Sequence, residues 1–217
     1  MLNKIKSRGY LYSAGIVANR IVPEFLFRAR VFRVFRFNIP EAANSLQSYD
    51  DGIHFKWCES DVEFEQAQQL THFRPPDMTQ RYQACIAYDG QEAIGGVWIA
   101  SESFNESELG LQIQLQPSQK WLFAANIAKS HRRRGIYGRL LRYTLHSVSP
   151  APGSGDVLAS INPTNKASIA AHRPMIAATL GTCLAARWLS LSLCGSTGQL
   201  KTTRAIRLAK PTQIVVA

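Results

Sequence analysis

The chain has 217 residues, 46% hydrophobic and 18% charged, which suits one domain with or without an appendage and excludes overall disorder. A net charge of +10 points to an anionic partner, with nucleic acid, anionic lipid and a phosphorylated cofactor all qualifying. Cys58, Cys85, Cys183 and Cys194 lack C-x-x-C spacing or a neighbouring histidine pair, which argues against zinc, and no apolar run approaches the ~20 residues that span a bilayer.

Residues 2–20 can form a helix with a basic start, Pro23 breaks it, and 24–30 reads as a second short helical piece. The charge excess gathers here: Lys4, Lys6, Arg8, Arg20, Arg28, Arg30, Arg33 and Arg36 stand against Glu24 alone. Tyr and Gly interrupt the apolar run after the basic start and no small-residue cleavage site closes it, so the N-terminus reads as retained. The VFRVFRF run at 31–37 fits a strand or a continued helix, and its β-branched and aromatic content favours the strand. We set residues 1–45 apart as a basic N-terminal extension covering the domain at 46–217. The sharper alternative is peripheral attachment of residues 1–36 to an anionic membrane surface or an acidic partner.

Residues 38–52, with Asp50, Asp51 and Gly52, read as a connection, and 53–58 as a short strand. Ser60 and Glu63 form a capping-box pattern ahead of a helical stripe of Val62, Ala67 and Leu70, which Pro75 and Pro76 stop. Residues 77–82 suggest another helical turn, flanked by Arg74 and Arg81. Asp89-Gly90 between apolar runs at 84–88 and 94–100 is a hairpin signal. Leu109, Leu111, Ile113 and Leu115 alternate with polar residues, and Pro117-Ser118 turns the chain into the next strand. Three antiparallel strands are thus expected to lead into it as a meander.

The stretch at 121–148 organises the rest. Trp121, Phe123, Ala125 and Ile127 recur at the period of a strand, whereas Ile136, Leu140, Leu141, Thr144, Leu145 and Val148 recur at three- and four-residue steps, as on a helix face. The joint, SHRRRGIYG, sets three arginines and a glycine at the mouth of that helix. Unpaired N–H groups and partial positive charge make such a mouth a site for phosphate oxygens. Beyond it, 149–156 reads as a loop, 157–161 as a strand and 166–172 as a short helix capped by Asn165 and cut by Pro174. Runs at 180–186 and 188–194 close the sheet, and 199–217 adds an edge strand or a tail.

The joint resembles the acyl-CoA-binding motif Q/R-x-x-G-x-G/A of the GCN5-related N-acetyltransferase (GNAT) family. Arg132, Gly135 and Tyr137 fall on its defined positions, Tyr137 replacing a small residue. The segment at 160–175 resembles the family's second pattern, N-x-x-A/S-I-x-x-Y before a Gly-Phe pair. Asn165, Ser168 and Ile169 match, His172 stands at the tyrosine position, and Ile176 and Ala177 replace Gly-Phe.

This resemblance implies an α/β (α+β) fold whose central mixed, mostly antiparallel sheet is flanked by helices. It implies an acyl-CoA, in the first place acetyl-CoA, as co-substrate, no metal, and transfer of the acyl group to a primary amine by direct attack. Backbone N–H groups of Arg132, Arg133, Arg134, Gly135, Ile136, Tyr137 and Gly138 are then expected at the pyrophosphate. Ile127, Ala128 and Lys129 are expected beside the pantetheine arm, and Asn165 and Ser168 close to the cofactor. A strand N–H near Ile127 would face the thioester oxygen. His172 is the expected proton donor to the departing thiolate, with packing as its plain alternative. Asn126, Glu108 and Glu106 are the candidates to contact the acceptor amine, while Arg74 and Arg81 would tolerate an anionic acceptor such as an amino-sugar nucleotide. A cytoplasmic location is expected. The competing reading is a non-catalytic GNAT-like module holding a membrane or nucleic acid through its basic segment, although no nucleic-acid motif is evident.

Overall fold

The computed structural model describes residues 22–23, 26–38, 51–75, 81–148, 155–203, 205–208 and 210–216. The expected helix at 2–20 lies outside them. The arginines spaced by three in β1 (Phe27–Phe37) do not make a helix: alternation sends Phe32 and Val34 to one face and Phe35 and Phe37 to the other, all four buried. The helical expectation for 24–30 is therefore corrected from Phe27 onward. β1 pairs with strands on both sides, so residues 27–37 are interior to the sheet rather than part of a covering extension.

The remaining elements follow in order. They are β2 (Ile53–Trp57), α1 (Asp61–Thr71), β3 (Tyr82–Asp89), β4 (Glu92–Ser101), β5 (Ser103–Glu106), β6 (Leu111–Gln114), β7 (Lys120–Ile127) and α2 (Ile136–Val148). Then come β8 (Val157–Ile161), α3 (Lys166–His172), β9 (Ile176–Trp188), β10 (Leu191–Ser196), β11 (Leu200–Thr202), β12 (Ile206–Leu208) and β13 (Thr212–Val216). Nine strands form one sheet in the order β12-β10-β9-β1-β8-β7-β4-β3-β2, and four form a second in the order β11-β13-β6-β5. Within the large sheet the β7–β8 pair is parallel and the other pairs are antiparallel.

The Ser60–Glu63 capping box forms as expected: Glu63 N–H donates to Ser60 Oγ, and Glu63 Oε2 accepts from the Ser60 and Glu59 N–H groups at 3.1 and 2.8 Å. Residues 76–80 lie outside the described set, and Tyr82, placed by sequence in a helical turn, begins β3 instead. The expected meander is corrected as well. β4 pairs directly with β7, and the alternating residues at 111–114 leave with β5 for the second sheet. The runs at 180–186 and 188–194 divide differently: β9 is one strand through Trp188, a turn holds Leu189 at φ 52, and β10 starts at Leu191.

Each face of the large sheet carries a core. Trp98, Trp121, Phe32 and Val34 pack with Ala67 of α1 and with Phe104, Leu111 and Ile113 of the second sheet. Opposite, Phe35, Phe37, Val97 and Ile127 pack beneath Ile136, Leu140, Leu141 and Leu145 of α2 and Met175 beyond α3. Burying each of these large side chains contributes about 1.5–3 kcal/mol. Arg139, itself buried, fixes α2 to the start of β2 by bonding Asp51 through Nη1 at 2.7 Å and Nη2 at 3.2 Å. Among the described residues no helix is long and apolar enough to cross a membrane.

Candidate functional site

The site begins where two parallel strands part. β7 and β8 pair at Lys120–Val157, Trp121–Leu158 and Leu122–Ala159, after which β7 continues to Ile127 with β4 as its partner. The cause is one extra residue in β7: Gly96 faces Asn126 while Trp98 faces Phe123, and Ala124 between them takes φ 48. This bulge swings the end of β7 away from β8. Gly95 keeps it against β4, since a Cβ there would lie 2.6 Å from the Asn126 carbonyl oxygen. Ala128 N–H bonds the Ile94 carbonyl at 2.7 Å, so by alternation the Ile127 peptide groups face the gap.

The joint after β7 is a Lys129–His131 turn followed by Arg133 at φ 67 and Gly135 at φ 74. Two left-handed residues flanking Arg134 shape a concavity at the mouth of α2, a geometry in which successive N–H groups can face an anion. Among the described hydrogen bonds, no backbone N–H from 133 to 138 donates to a protein acceptor. A Cβ on Gly135 would meet nothing within 4 Å, so the space beside it is open.

The three arginines differ in use. Arg132 Nε donates to the Ile127 carbonyl at 2.8 Å and its Nη2 to Asn126 Oδ1 at 3.1 Å. Arg134 pairs with Asp89 at 3.1 Å, an aspartate also 3.5 Å from His131. Arg133 is exposed and makes no ion pair among the described residues. Asn126, named by sequence as a catalytic candidate, is a tie instead: its Nδ2 donates to the Leu70 carbonyl at 2.7 Å while Oδ1 accepts from Arg132. It joins the end of α1 to the end of β7.

His172 is buried at 3% exposure, stacked on Phe37 at 5.5 Å. Its Nδ1 lies 2.7 Å from the Ser168 carbonyl, which can only accept, so Nδ1 carries the proton and Nε2 is the acceptor. The Tyr137 hydroxyl stands 3.5 Å from Nε2. Burial lowers the His172 pKa, with the Ser168 backbone opposing, and burial pushes the Tyr137 phenol up to about 12. The pair therefore rests as neutral imidazole and neutral phenol. Asn165 Oδ1 accepts from Ser168 N–H at 3.1 Å, so these two residues build the cap of α3.

On the opposite face of the sheet, at the end of β8, lies a cavity of about 170 Å³ lined by Arg30, Phe32, Phe104, Glu106, Ser160 and Asn162 among others. The Phe104 ring is 4.5 Å from that of Phe123, which sits where β7 leaves β8, so the Phe104 wall of the cavity adjoins the start of the gap. Glu108 does not line this cavity: half exposed, it pairs with Arg30 Nη2 at 2.5 Å. Glu106 does line it, 4.0 Å from Arg30 Nη1, and burial raises its carboxyl above the usual range against the opposing charge of Arg30. Sequence alternation treated the two glutamates alike because the Ser107–Leu109 turn that separates their directions leaves no periodic mark. Arg74 is exposed and Arg81 lies over the Tyr82 ring at 5.9 Å. No group of three or more His, Cys, Asp or Glu is placed to hold a metal among the described residues.

No protein-family model and no curated protein sequence matches the chain. Solved structures do. One from Novosphingobium aromaticivorans, described as an acetyltransferase from the GNAT family, superposes with TM-score 0.50 at 12% identity, covering 78% of this chain and 66% of that one. A functionally unknown conserved protein from Staphylococcus epidermidis gives TM-score 0.50 at 8% identity, covering 78% and 64%. An aminoglycoside acetyltransferase from an uncultured soil metagenomic sample, in complex with trehalose, gives TM-score 0.44 at 13% identity, covering 58% and 88%. The chain thus spans just under two thirds of the length of the first two. With a large, mostly antiparallel sheet flanked by helices, strands that part at a bulge and an open helix mouth beside them, the chain has the fold of the GNAT acetyltransferases.

Proposed function

We propose that the chain is an N-acyltransferase that moves an acetyl group from acetyl-CoA to a primary amine by direct attack. The observation that carries this reading is the conjunction of an unpaired β7 edge with unclaimed N–H groups at 133–138. The residues present fit the co-substrate chemically. Amides of a pantetheine arm can pair with the edge of β7 beyond Leu122, where the Ile127 carbonyl already accepts from Arg132, and a diphosphate can sit in the concavity beside Gly135, with Arg133 adding charge. When bound, acetyl-CoA supplies the activated acyl carbonyl. The Ile127 N–H, aimed into the gap, supports the oxygen of that carbonyl as charge develops on it.

The amine approaches from the cavity on the other face, where Glu106, made more basic than an ordinary carboxylate by burial, takes its proton. At the thiolate, Tyr137 holds the proton, its hydroxyl aligned by His172 Nε2, so His172 acts through Tyr137 rather than as the donor itself. In this reading the enzyme is cytoplasmic and uses no metal.

The test is thermal unfolding with and without acetyl-CoA, followed by thiol release across an amine library. A rise in Tm with the ligand and amine-dependent thiol release support the reading. Neither a rise nor any release sinks it. Arg133→Glu should abolish the rise in Tm, whereas Tyr137→Phe should preserve it and slow thiol release.

A further inference from the structure

Of the seven large hydrophobic side chains exposed among the described residues, six gather in one corner of the large sheet: Leu184, Trp188, Leu189, Leu193, Ile206 and Leu208. Strand register puts those outside the Leu189 turn on a single face. Trp188 pairs with Leu191 and Leu191 with Leu208, Ala186 with Leu193 and Leu193 with Ile206, and Leu184 with Gly195. Partners across a ladder point to the same side. Phe27 and Val31 of β1 extend this face by pairing with Trp188 and Leu184. On the reverse side, Cys183, Ala185 and Cys194 are buried together with the second sheet. The exposed side is the one that α2 and α3 cover farther along, above Phe35 and Phe37. Among the described residues, the core beneath those helices takes nothing from β9 beyond Ile176, from β10 or from β12.

The chain enters β1 at the rim of this face. The Leu26 and Phe27 N–H groups both donate to the Pro23 carbonyl, at 2.9 and 3.2 Å, and the Leu26 carbonyl accepts from Leu189 N–H at 2.8 Å. The residues before Val22 are therefore tethered beside Trp188 and Leu189. Their sequence sets Leu2, Ile5, Tyr12 and Ile16 at steps of three, seven and four, one face of a helix, with Lys4, Ser7 and Arg8 on other faces. From Leu2 to Ile16 such a helix runs about 21 Å. The exposed face is three strand spacings wide, roughly 14 Å, and about as long from Leu184 to Trp188, so its diagonal is about 20 Å. A short tether keeps this segment at an effective concentration on the order of millimolar, which a second copy at micromolar concentration does not reach.

We propose that residues 2–20 dock as an amphipathic helix on the exposed face of β9, β10 and β12. Leu2, Ile5, Tyr12 and Ile16 lie on the apolar side chains around Trp188 and Leu193, and Lys4 and Arg8 stay in water. The chain thereby covers its own apolar face.

The test is amide hydrogen exchange of the full-length protein, with light scattering on the same samples. A helix of this length containing Gly9 and Gly15 is marginal by itself, so protection of 2–20 requires a surface. In the monomer these amides should exchange at least about tenfold more slowly than in Leu193→Asp/Ile206→Asp, two exposed positions, while β1 and β9 stay protected in that variant. Ile5→Asp/Ile16→Asp should release the segment equally, and Lys4→Asp/Arg8→Asp should leave it docked. Release should also raise acrylamide quenching of tryptophan emission, an increase lost in a Trp188→Leu background. If the strand variant does not fold, the segment variant decides, since it leaves the domain untouched. Protection that appears only with dimer formation would give the face to a second copy. Unprotected 2–20 in a protein that binds anionic phospholipid vesicles through Trp188 would give it to a bilayer. Unprotected 2–20 with neither partner would leave the face bare. Each of these three results overturns the proposal.

Discussion

The Tyr137 hydroxyl and His172 Nε2 face each other at 3.5 Å, joining the first turn of α2 to the last turn of α3. Because His172 Nδ1 is committed to the Ser168 carbonyl, protonating Nε2 would make it donate to the Tyr137 oxygen and leave a positive charge buried against an apolar wall that includes Phe37. The native state thus holds this imidazole neutral, with its pKa below the ordinary value through burial. A histidine with a depressed folded pKa contributes stability that is fully present above its unfolded value, about 6.5, and is lost on acidification through the folded value. Urea unfolding of the wild type should lose stability below pH 6.5 with a slope of at most about 1.4 kcal/mol per pH unit from this group. His172→Phe, which keeps a ring against Phe37, should have a shallower pH dependence. Equal slopes in the two proteins would remove the assignment.

Asn126 is a strut, and its substitution should read as one. Asn126→Ala leaves the Leu70 carbonyl and one Arg132 nitrogen without their partner, which costs about 1–2 kcal/mol in chemical denaturation. Loosening Arg132 should also weaken the rise in Tm produced by acetyl-CoA. The pH profile of thiol release should keep its shape, because Asn126 carries no proton in the reaction. A shifted profile would reinstate it as a group in direct contact with the amine.

Gly135→Ala separates backbone strain from ligand approach. At φ 74 the added methyl costs about 1 kcal/mol even though it meets no neighbour. Gly90→Ala, at φ 59 in the hairpin turn and equally open, should cost a similar amount. Isothermal titration should then show acetyl-CoA affinity reduced by Gly135→Ala and unchanged by Gly90→Ala. Parallel losses in both would mean that the mouth of α2 is not where the diphosphate sits.

Glu106→Gln should lower kcat/KM by about 10²–10⁴ while leaving Tm equal or raised, since a partly buried carboxylate is exchanged for a neutral isostere. The wild-type acidic limb of the pH–rate profile, displaced upward from an ordinary glutamate, should vanish in the variant. Glu108→Gln, altering an exposed ion pair with Arg30, should change rate and stability little. Reversal of these two outcomes would return the base role to Glu108.

What could be read without coordinates was local. The Ser60–Glu63 box, the Asp89-Gly90 hairpin and the apolar stripe from Ile136 to Leu145 depend on residues a few positions apart, and all three form. The arrangement of the strands was not local. Alternation at 111–114 announces a strand but not the sheet that accepts it, and the exit to the second sheet is decided by pairing with β13 a hundred residues later. The same limit hid the site's chemistry. Nothing near Asn126 in sequence signals that Leu70 will claim it, and Tyr137 reads as an intrusive bulky residue until α3 brings His172 opposite. Glu106 gains its setting from Phe104 of its own strand and from Arg30 of β1, more than seventy residues earlier.

The location of β1 has a bearing on how the chain is made. This strand leaves the ribosome before β2 to β7, yet its neighbours in the sheet, β8 and β9, follow only after all six of them. Until they arrive, Phe32, Val34, Phe35 and Phe37 have no partner on either edge, so the nascent polypeptide carries an unsatisfied hydrophobic ribbon while β2 to β7 are made. Overproduction at low temperature, or with holdase chaperones in excess, should therefore raise the soluble yield more than any change at the C-terminal strands.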